Sequence, residues 1–143
     1  MSVKVFTIDE ANQLLPLVDR YLNQLLDLRE RIVAKQVEVD LREIVGGDDS
    51  EGSQRQGGGT GARVAKEMTE LGVLAGEFNE VVEQFEAVGC YLKDLDQGLV
   101  DFYHSRNGEL VWLCWKQGEA SIAHWHELEN GFASRKSLDD GRG

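Results

Sequence analysis

The side chains that could do chemistry are concentrated in one stretch of this chain. Its 2 cysteines, 3 histidines and 3 tryptophans all lie between Cys90 and His126. Thiols, imidazoles and nearby carboxylates are the groups that bind metal ions, attack substrates as nucleophiles or transfer protons. The sequence therefore places any chemistry in this stretch, although it leaves open whether the protein is an enzyme.

Two metal sites can be drawn from these side chains. Cys90, Cys114, His124 and His126 would make a Cys₂His₂ set, but no CxxC or HxxxH spacing supports it. The strand register predicted below also puts Cys114 and His126 on opposite faces of a sheet. A divalent metal held by one of the three histidines, His126 included, together with Glu109 or Glu119 at the sheet end is geometrically easier. The alternative for each histidine is an ordinary hydrogen-bonded residue.

A nucleophilic cysteine is the other chemistry to weigh. The predicted register sets Cys114 opposite Asp101. Burial and a neighbouring carboxylate both disfavour the thiolate, which is the reactive form of cysteine. An inert buried thiol is therefore the expectation for Cys114.

The elements that must position these residues begin with a long helix. Weak alternation predicts a strand over residues 3–6. Thr7 and Glu10 then form a capping box, which predicts a helix over 8–45 with a kink or short break just before Pro16. The expected packing seam of this helix repeats every three or four residues. It comprises Leu15, Val18, Leu22, Leu25, Arg29 and Ile32.

A second helix follows a glycine-rich linker. Residues 46–61 are rich in glycine and small polar residues, which is typical of a flexible linker. Residues 62–88 then predict a helix that ends at Gly89. Its seam has the same spacing as the first and comprises Leu71, Leu74, Phe78, Val81, Phe85 and Val88. Two matching seams joined by one linker predict an antiparallel helical hairpin.

Residues 90–126 change to a period of two and predict an antiparallel sheet. Asn107-Gly108 is a strong type I′ turn signal, and Gln117-Gly118 is a weaker second turn. The polar tail over 134–143 is expected to fray. The predicted fold is thus a single α+β domain over 1–143, with a long antiparallel helical hairpin packed on a small, mostly antiparallel sheet of three to four strands.

Two tight turns would fix which way each strand residue points. One predicted face, which should pack on the helices, holds Val100, Phe102, His104, Val111, Leu113, Trp115, Ile122, His124 and His126. The other holds Leu99, Asp101, Tyr103, Leu110, Trp112, Cys114, Ala123 and Trp125. This second face is too apolar to lie bare in water. It should be covered by the neighbourhood of the first strand, by another subunit or by a ligand.

Charge and cysteine usage limit the partners and the compartment. The chain has 15 basic and 26 acidic residues, a formal net charge of -11. Such a surface repels phosphate, so neither nucleic acid nor an anionic membrane is expected as a partner. The amino-terminal residues do not form a signal peptide. Two cysteines without an export signal predict free thiols in the cytoplasm.

Several short segments together resemble an uncharacterised bacterial family, the domain of unknown function 2203. The resemblance spans nearly the whole chain. It is carried by Phe6-Thr7, Glu10-Ala11-Asn12, Leu14-Leu15-Pro16, Gly89-Cys90, Leu92-Lys93-Asp94, Gly98-Leu99-Val100-Asp101-Phe102, Leu113-Cys114-Trp115, Gly118-Glu119, Trp125-His126, Gly131-Phe132-Ala133 and Arg135. The resemblance implies a set of polar residues that packing alone would not require. They are Glu10, Lys93, Asp94, Asp101, Glu119 and His126.

Two hypotheses of function follow. In the first, these six residues form a polar pocket between the sheet and the start of the first helix, and the pocket binds a divalent metal or a small ligand. In the second, the protein is a helical interaction module or homodimeric scaffold without catalysis, and its long helices dimerise or recruit a protein partner.

Overall fold

The computed structural model describes residues 3–48 and 59–138. Two long helices precede a five-stranded antiparallel sheet whose strands lie in chain order, which is an α+β arrangement with one strand more than predicted. The elements are α1 (Ile8–Asp48), α2 (Gly59–Ala87), β1 (Cys90–Asp94), β2 (Leu99–Arg106), β3 (Glu109–Lys116), β4 (His124–Glu127), a 3-10 turn (Phe132–Ser134) and β5 (Lys136–Ser137).

The capping box starts α1 as predicted. The Thr7 N–H donates to Glu10 Oε1 at 2.9 Å, and the Glu10 N–H donates to Thr7 Oγ1 at 3.0 Å. The helix then runs through Pro16 without the predicted break. Buried residues on both sides of the proline, Leu15 and Val18, hold the helix against the core. One lost hydrogen bond is therefore not enough to interrupt it.

The predicted strand over residues 3–6 does not form. Instead, Phe6 is buried, and its N–H donates to the carbonyl of Tyr103 at 2.7 Å. The His104 ring nitrogen Nδ1 hydrogen-bonds to the Phe6 carbonyl at 2.7 Å. This segment is therefore anchored by contacts around one aromatic side chain rather than by a strand ladder.

The chain divides into two compact units, Met1–Gln24 with Val81–Gly143 and Leu25–Glu80. In the second unit, α1 and α2 run antiparallel, because Lys35 pairs with Glu70 at 3.0 Å and the later Arg42 pairs with the earlier Glu67 at 2.7 Å. Both helices extend three residues into the predicted linker. The rest of that linker, residues 49–58, lies outside the described residues.

The core of the first unit lies between the helices and one face of the sheet. Both helices, the first three strands, the segment before α1 and the loop after β3 contribute buried residues. They are Phe6, Ala11, Leu15, Val18, Leu22, Phe85, Cys90, Val100, Phe102, Leu113, Trp115 and Ile122. Burying so many large side chains makes the hydrophobic effect the main force that holds the sheet on the helices.

The first predicted turn is correct. Asn107 and Gly108 have φ angles of 54° and 83°, the left-handed backbone that a type I′ turn requires. The resulting register pairs Arg106 with Glu109 and Asp101 with Cys114, as predicted. Local turn chemistry was therefore sufficient to align β2 with β3.

The second turn does form at Gln117-Gly118, where the Glu119 N–H donates to the Lys116 carbonyl at 3.0 Å and Gly118 has a φ angle of 104°. It is not a two-residue hairpin, however, so the register that was predicted from it is wrong. Residue Cys114 pairs with His124, not with Ser121, so the strand after the turn is shifted by three residues. The connecting segment 117–123 is held by α1: the Ile122 N–H donates to Asn12 Oδ1 at 2.7 Å, and Gln117 Nε2 donates to Asp19 Oδ1 at 2.8 Å. Because these contacts hold residues 117–123 as a loop against α1, β4 begins only at His124.

An odd shift in register turns every side chain of β4 to the other face of the sheet. Residues His124 and His126 therefore leave the helix-packed face and join Cys114 and Asp101. Trp125 moves in the opposite direction and packs against the core. The prediction that Cys114 and His126 point to opposite faces is thus also wrong.

The segment after β4 is more ordered than predicted. Residues 134–138 do not fray, because the chain forms the 3-10 turn and then pairs β5 with β4, His124 with Ser137 and Trp125 with Lys136. Residues 139–143 of the predicted frayed tail lie outside the described residues. Across the described helices, α1 and α2 included, none is long and apolar enough to cross a membrane.

Candidate functional site

The shifted register brings three potential metal ligands together on the face of the sheet that lies away from the helices. They come from three adjacent strands: Asp101 from β2, Cys114 from β3 and His126 from β4. All three residues are buried, and one ligand atom from each lies within 4.8 Å of the other two. We call these residues the Asp–Cys–His cluster.

Both ring nitrogens of His126 are hydrogen-bonded. The Nδ1 atom lies 2.9 Å from the Glu127 carbonyl oxygen, and Nε2 lies 3.0 Å from Asp101 Oδ2. A carbonyl oxygen only accepts, so Nδ1 carries a proton. The pair then shares one further proton between Nε2 and the carboxyl group. In either arrangement the pair is neutral overall, which suits its burial.

Burial changes the acidity of the other two groups in the cluster. Burial raises the pKa of the Asp101 carboxyl above its usual value, and His126 and Lys93 oppose that rise. The pKa of the Cys114 thiol is raised to about 12, first by burial and then by the Asp101 charge. Without a bound cation, Cys114 is therefore a protonated thiol at neutral pH.

An ion pair from the carboxy-terminal segment supports the cluster. The Arg135 guanidinium donates to both carboxylate oxygens of Glu119, at 3.3 and 2.7 Å. Burial opposes ionisation of Glu119, but the Arg135 hydrogen bonds and the Lys116 N–H outweigh it and lower the Glu119 pKa. Glu119 thus positions an arginine whose charge opposes the rise in the Cys114 pKa.

A cavity of about 120 Å³ opens beside the cluster. Its walls come from the first three strands and from the segment that follows β4, and they mix apolar with polar groups. Besides the cluster, they comprise Lys93, Leu99, Trp112, Leu128, Asn130, Gly131 and Phe132. The carboxy-terminal segment therefore covers part of the face that the sequence predicted would need a cover.

The structure brings three of the six predicted pocket residues to this cavity: Lys93, Asp101 and His126. The Lys93 ammonium lies 4.2 Å from the centre of the Trp112 ring, a cation–π contact. Glu119 reaches the cluster only through Arg135, so it is not beside His126 as a ligand.

The other two predicted pocket residues lie elsewhere. Glu10 is exposed, and its carboxylate caps α1. Asp94 accepts hydrogen bonds from the backbone and side chain of Gln97, so it stabilises the turn between β1 and β2. The predicted pocket at the start of the first helix is therefore divided between a helix cap, a turn and the cavity described above.

Sequence reasoning omitted Cys114, Arg135 and Phe132 from the candidate site. Cys114 was set aside as a metal ligand because no ligand-spacing motif includes it and because the predicted register placed it on the opposite face from His126. Arg135 and Phe132 fell near a tail that was expected to fray. All three occur in the segments that carry the family resemblance, and that was the signal that could have found them.

The cluster fits a small transition-metal ion such as Zn²⁺. Zinc prefers thiolate, imidazole and carboxylate ligands at about 2.0–2.3 Å, which places tetrahedral ligand atoms about 3.3–3.7 Å apart. Ligand atoms that already lie within 4.8 Å of each other need only small shifts to reach that spacing. The Nδ1 hydrogen bond to a carbonyl also orients His126 as in metal-binding histidines, leaving Nε2 for the ion.

The fold and the site together define an α+β protein with a helical hairpin, an antiparallel sheet and a buried Asp–Cys–His cluster. The model of the family described as uncharacterized conserved protein (DUF2203) matches residues 4–138. The chain belongs to this family. No curated protein and no solved structure matches it.

Proposed function

We propose that the protein binds a divalent transition-metal ion, best represented by Zn²⁺, through Asp101, Cys114 and His126. The single observation that carries this proposal is the convergence of three different metal-binding groups within 4.8 Å in a buried position. One carboxylate and one thiolate balance the two charges of the ion, so the loaded site is neutral. All three residues line the cavity, so a fourth ligand would come from that side, as in zinc sites that bind an exchangeable ligand.

The raised pKa of Cys114 is compatible with metal binding. A cation at the sulfur favours the thiolate strongly enough to displace the proton, because bound Zn²⁺ deprotonates a coordinating thiol. The positive charge of Arg135 also favours the thiolate, because it lowers the Cys114 pKa against the effect of burial. Metal binding should therefore release protons, and the ion and Arg135 would stabilise the negative charge left on the Cys114 sulfur.

The test is metal content, with the other buried cysteine as the matched control. Cys90 is as buried as Cys114 but hydrogen-bonds only to the Phe85 carbonyl and lies outside the cluster. We expect the untagged protein and C90A to bind one zinc per chain by elemental analysis after dialysis. C114A should lose it while keeping its circular dichroism spectrum. Equal zinc content in C114A and C90A would contradict the proposal.

A second candidate function is self-association through α1, and one feature specifically favours it. Five large apolar residues on this helix are 50–65% exposed, and four of them are spaced by four, four and three residues, close to the spacing of a coiled-coil seam. We call these four the apolar stripe: Val33, Val37, Leu41 and Ile44. A second copy of the chain would cover such a stripe.

Light scattering after size-exclusion chromatography tests this second candidate. The wild-type protein should behave as a dimer at high concentration, and V37E/L41E should be monomeric. The control R31Q/E43Q changes two exposed charged positions that are not three, four or seven residues from any member of the stripe, so they lie on other sides of the same helix. A wild-type protein that stays monomeric at every concentration would exclude homodimerisation through α1.

The proposal also covers the compartment of the protein and the class of its partners. Both cysteines are free thiols, which supports a reducing cytoplasm as the compartment. The formal charge of -11 supports cations or a basic partner rather than nucleic acid. A strongly acidic surface also raises the local concentration of divalent cations around the molecule.

A further inference from the structure

We infer that the cavity beside the Asp–Cys–His cluster takes a short-chain carboxylate, which fills the open metal position with its oxygen and contacts Lys93. This inference rests on the proposed metal site. Three properties of the cavity carry it: its charge, its size and the chemistry of its walls.

The charge of the loaded site favours a single negative charge on the ligand. The lining residues that carry full charges are Lys93 and Asp101, together with the Cys114 thiolate once an ion is bound. A divalent ion neutralises the carboxylate and the thiolate. Lys93 then leaves one positive charge on the cavity, and a monoanion matches it, whereas a dianion such as phosphate exceeds it.

The size of the cavity limits the ligand to a few atoms. Its volume is about 120 Å³. An apolar cavity of about 150 Å³ in another protein holds benzene, which has six carbon atoms. A ligand of about four to six non-hydrogen atoms, the range from acetate to butyrate, therefore fits this space.

The walls select a carboxylate with a hydrocarbon chain over a small inorganic anion. Trp112, Phe132, Leu99 and Leu128 contribute apolar surface, while Lys93 and Asn130 contribute hydrogen-bond donors. Small-molecule sites commonly combine an apolar wall with a few polar groups that fix the orientation of the ligand. The Lys93 ammonium is held over the Trp112 ring, so its charge stays at the cavity wall.

The test uses the full chain loaded with Co²⁺, whose visible spectrum reports changes at the open position. Cobalt content is measured first, and the loaded protein is then titrated with propionate. We expect a saturable spectral change in the wild type, with affinity about tenfold weaker in K93Q. K93R should retain the wild-type response. The matched control K66Q removes a lysine that is exposed on α2 and does not line the cavity.

Ligand size and ligand class are tested in the same titration. Benzoate, which exceeds the size limit, should leave the spectrum unchanged, and phosphate should bind more weakly than propionate. A flat propionate titration of fully loaded protein, or an equal response of K93Q and wild type, overturns the carboxylate inference and leaves the metal site standing. A chain that takes up no cobalt overturns both.

Discussion

At the scale of single residues, the Asp101–His126 pair shows how burial and hydrogen bonding decide a protonation state. The backbone carbonyl of Glu127 fixes the proton on Nδ1, so the second proton lies between Nε2 and the carboxyl group. In the metal-free protein this bond satisfies two buried polar groups at once. At the proposed metal site, an ion would replace that shared proton, so metal binding there would be coupled to proton release.

Removing one partner of this pair should destabilise the metal-free protein. In D101A the Nε2 atom of His126 loses its partner in a buried position, which costs about 1–3 kcal/mol. Urea denaturation in the presence of a chelator measures the loss. D27A is the control, because the Asp27 side chain is 65% exposed and makes only a surface ion pair. Equal stability of D101A and D27A would contradict the account of the pair.

The thiol of Cys114 should be inert in the metal-free folded protein. Its pKa of about 12, like that of Cys90, leaves a negligible thiolate fraction at neutral pH. We expect iodoacetamide to modify neither cysteine of the native chain and both cysteines of the urea-unfolded chain, as measured by mass spectrometry. Rapid labelling of Cys114 in the folded protein would show that the site activates this thiol rather than suppressing it.

At the scale of elements, the two hairpin turns explain what the sequence could and could not predict. Asn107-Gly108 adopts its turn because of its own backbone preferences, so local sequence was sufficient. Gln117-Gly118 is followed by a longer loop, because Ile122 is drawn into the core and bonded to Asn12, which is 110 residues away in the chain. No local pattern carries that information.

This difference decided how much of the candidate site was predictable. The residue types, their concentration in one stretch and the face that holds Asp101 and Cys114 followed from the sequence. The presence of His126 on that face did not, because it depends on contacts between the loop and α1. The contribution of Arg135 was missed for a related reason. This polar segment is held by the bond between Arg135 and Glu119, which the local sequence does not reveal.

The hydrogen bond from the Ile122 N–H to Asn12 should therefore stabilise the folded protein more than an exposed hydrogen bond to the same loop does. N12A leaves the Ile122 N–H without its partner beside a buried side chain, which costs about 1–3 kcal/mol. N23A is the matched control, since Asn23 is exposed and its carbonyl bonds only a side-chain amide of the same loop. Thermal and urea unfolding of the two variants compare them directly. A larger loss in N23A than in N12A would refute this explanation of the register.

The Glu119–Arg135 ion pair should contribute stability that depends on pH. The pKa of Glu119 in the folded chain is lowered below its ordinary value of 4.5. A lowered folded pKa adds stability above the unfolded pKa, and this contribution is lost as the pH falls through the folded pKa. The wild type should therefore be more stable than E119Q at pH 6, and the difference should shrink below about pH 4.5.

Urea denaturation across pH 3 to 7 measures this difference. E109Q serves as the control for the loss of one carboxylate, because Glu109 is exposed at the tight turn between β2 and β3. Circular dichroism at each pH confirms that both variants start from the folded state. A difference between wild type and E119Q that grows on acidification would contradict the role given to the ion pair.

At the scale of the whole molecule, the two faces of the sheet have different roles. The helices and one face of the sheet enclose an apolar core, while the other face of the sheet and the carboxy-terminal segment enclose the cluster and its cavity. Three adjacent strands each supply one residue of the Asp–Cys–His cluster, so the sheet itself fixes the spacing of these residues. Sites built on such regular elements are held more rigidly than sites built on loops.

The proposed site requires Asp101, Cys114 and His126 to bind one metal ion together. X-ray absorption at the zinc edge of the zinc-loaded protein identifies the atoms bound to the ion. We expect one sulfur at about 2.3 Å together with nitrogen and oxygen ligands at about 2.0–2.2 Å. The sulfur contribution should disappear in C114A and persist in C90A. A zinc environment made only of oxygen and nitrogen ligands in the wild-type protein would contradict the account.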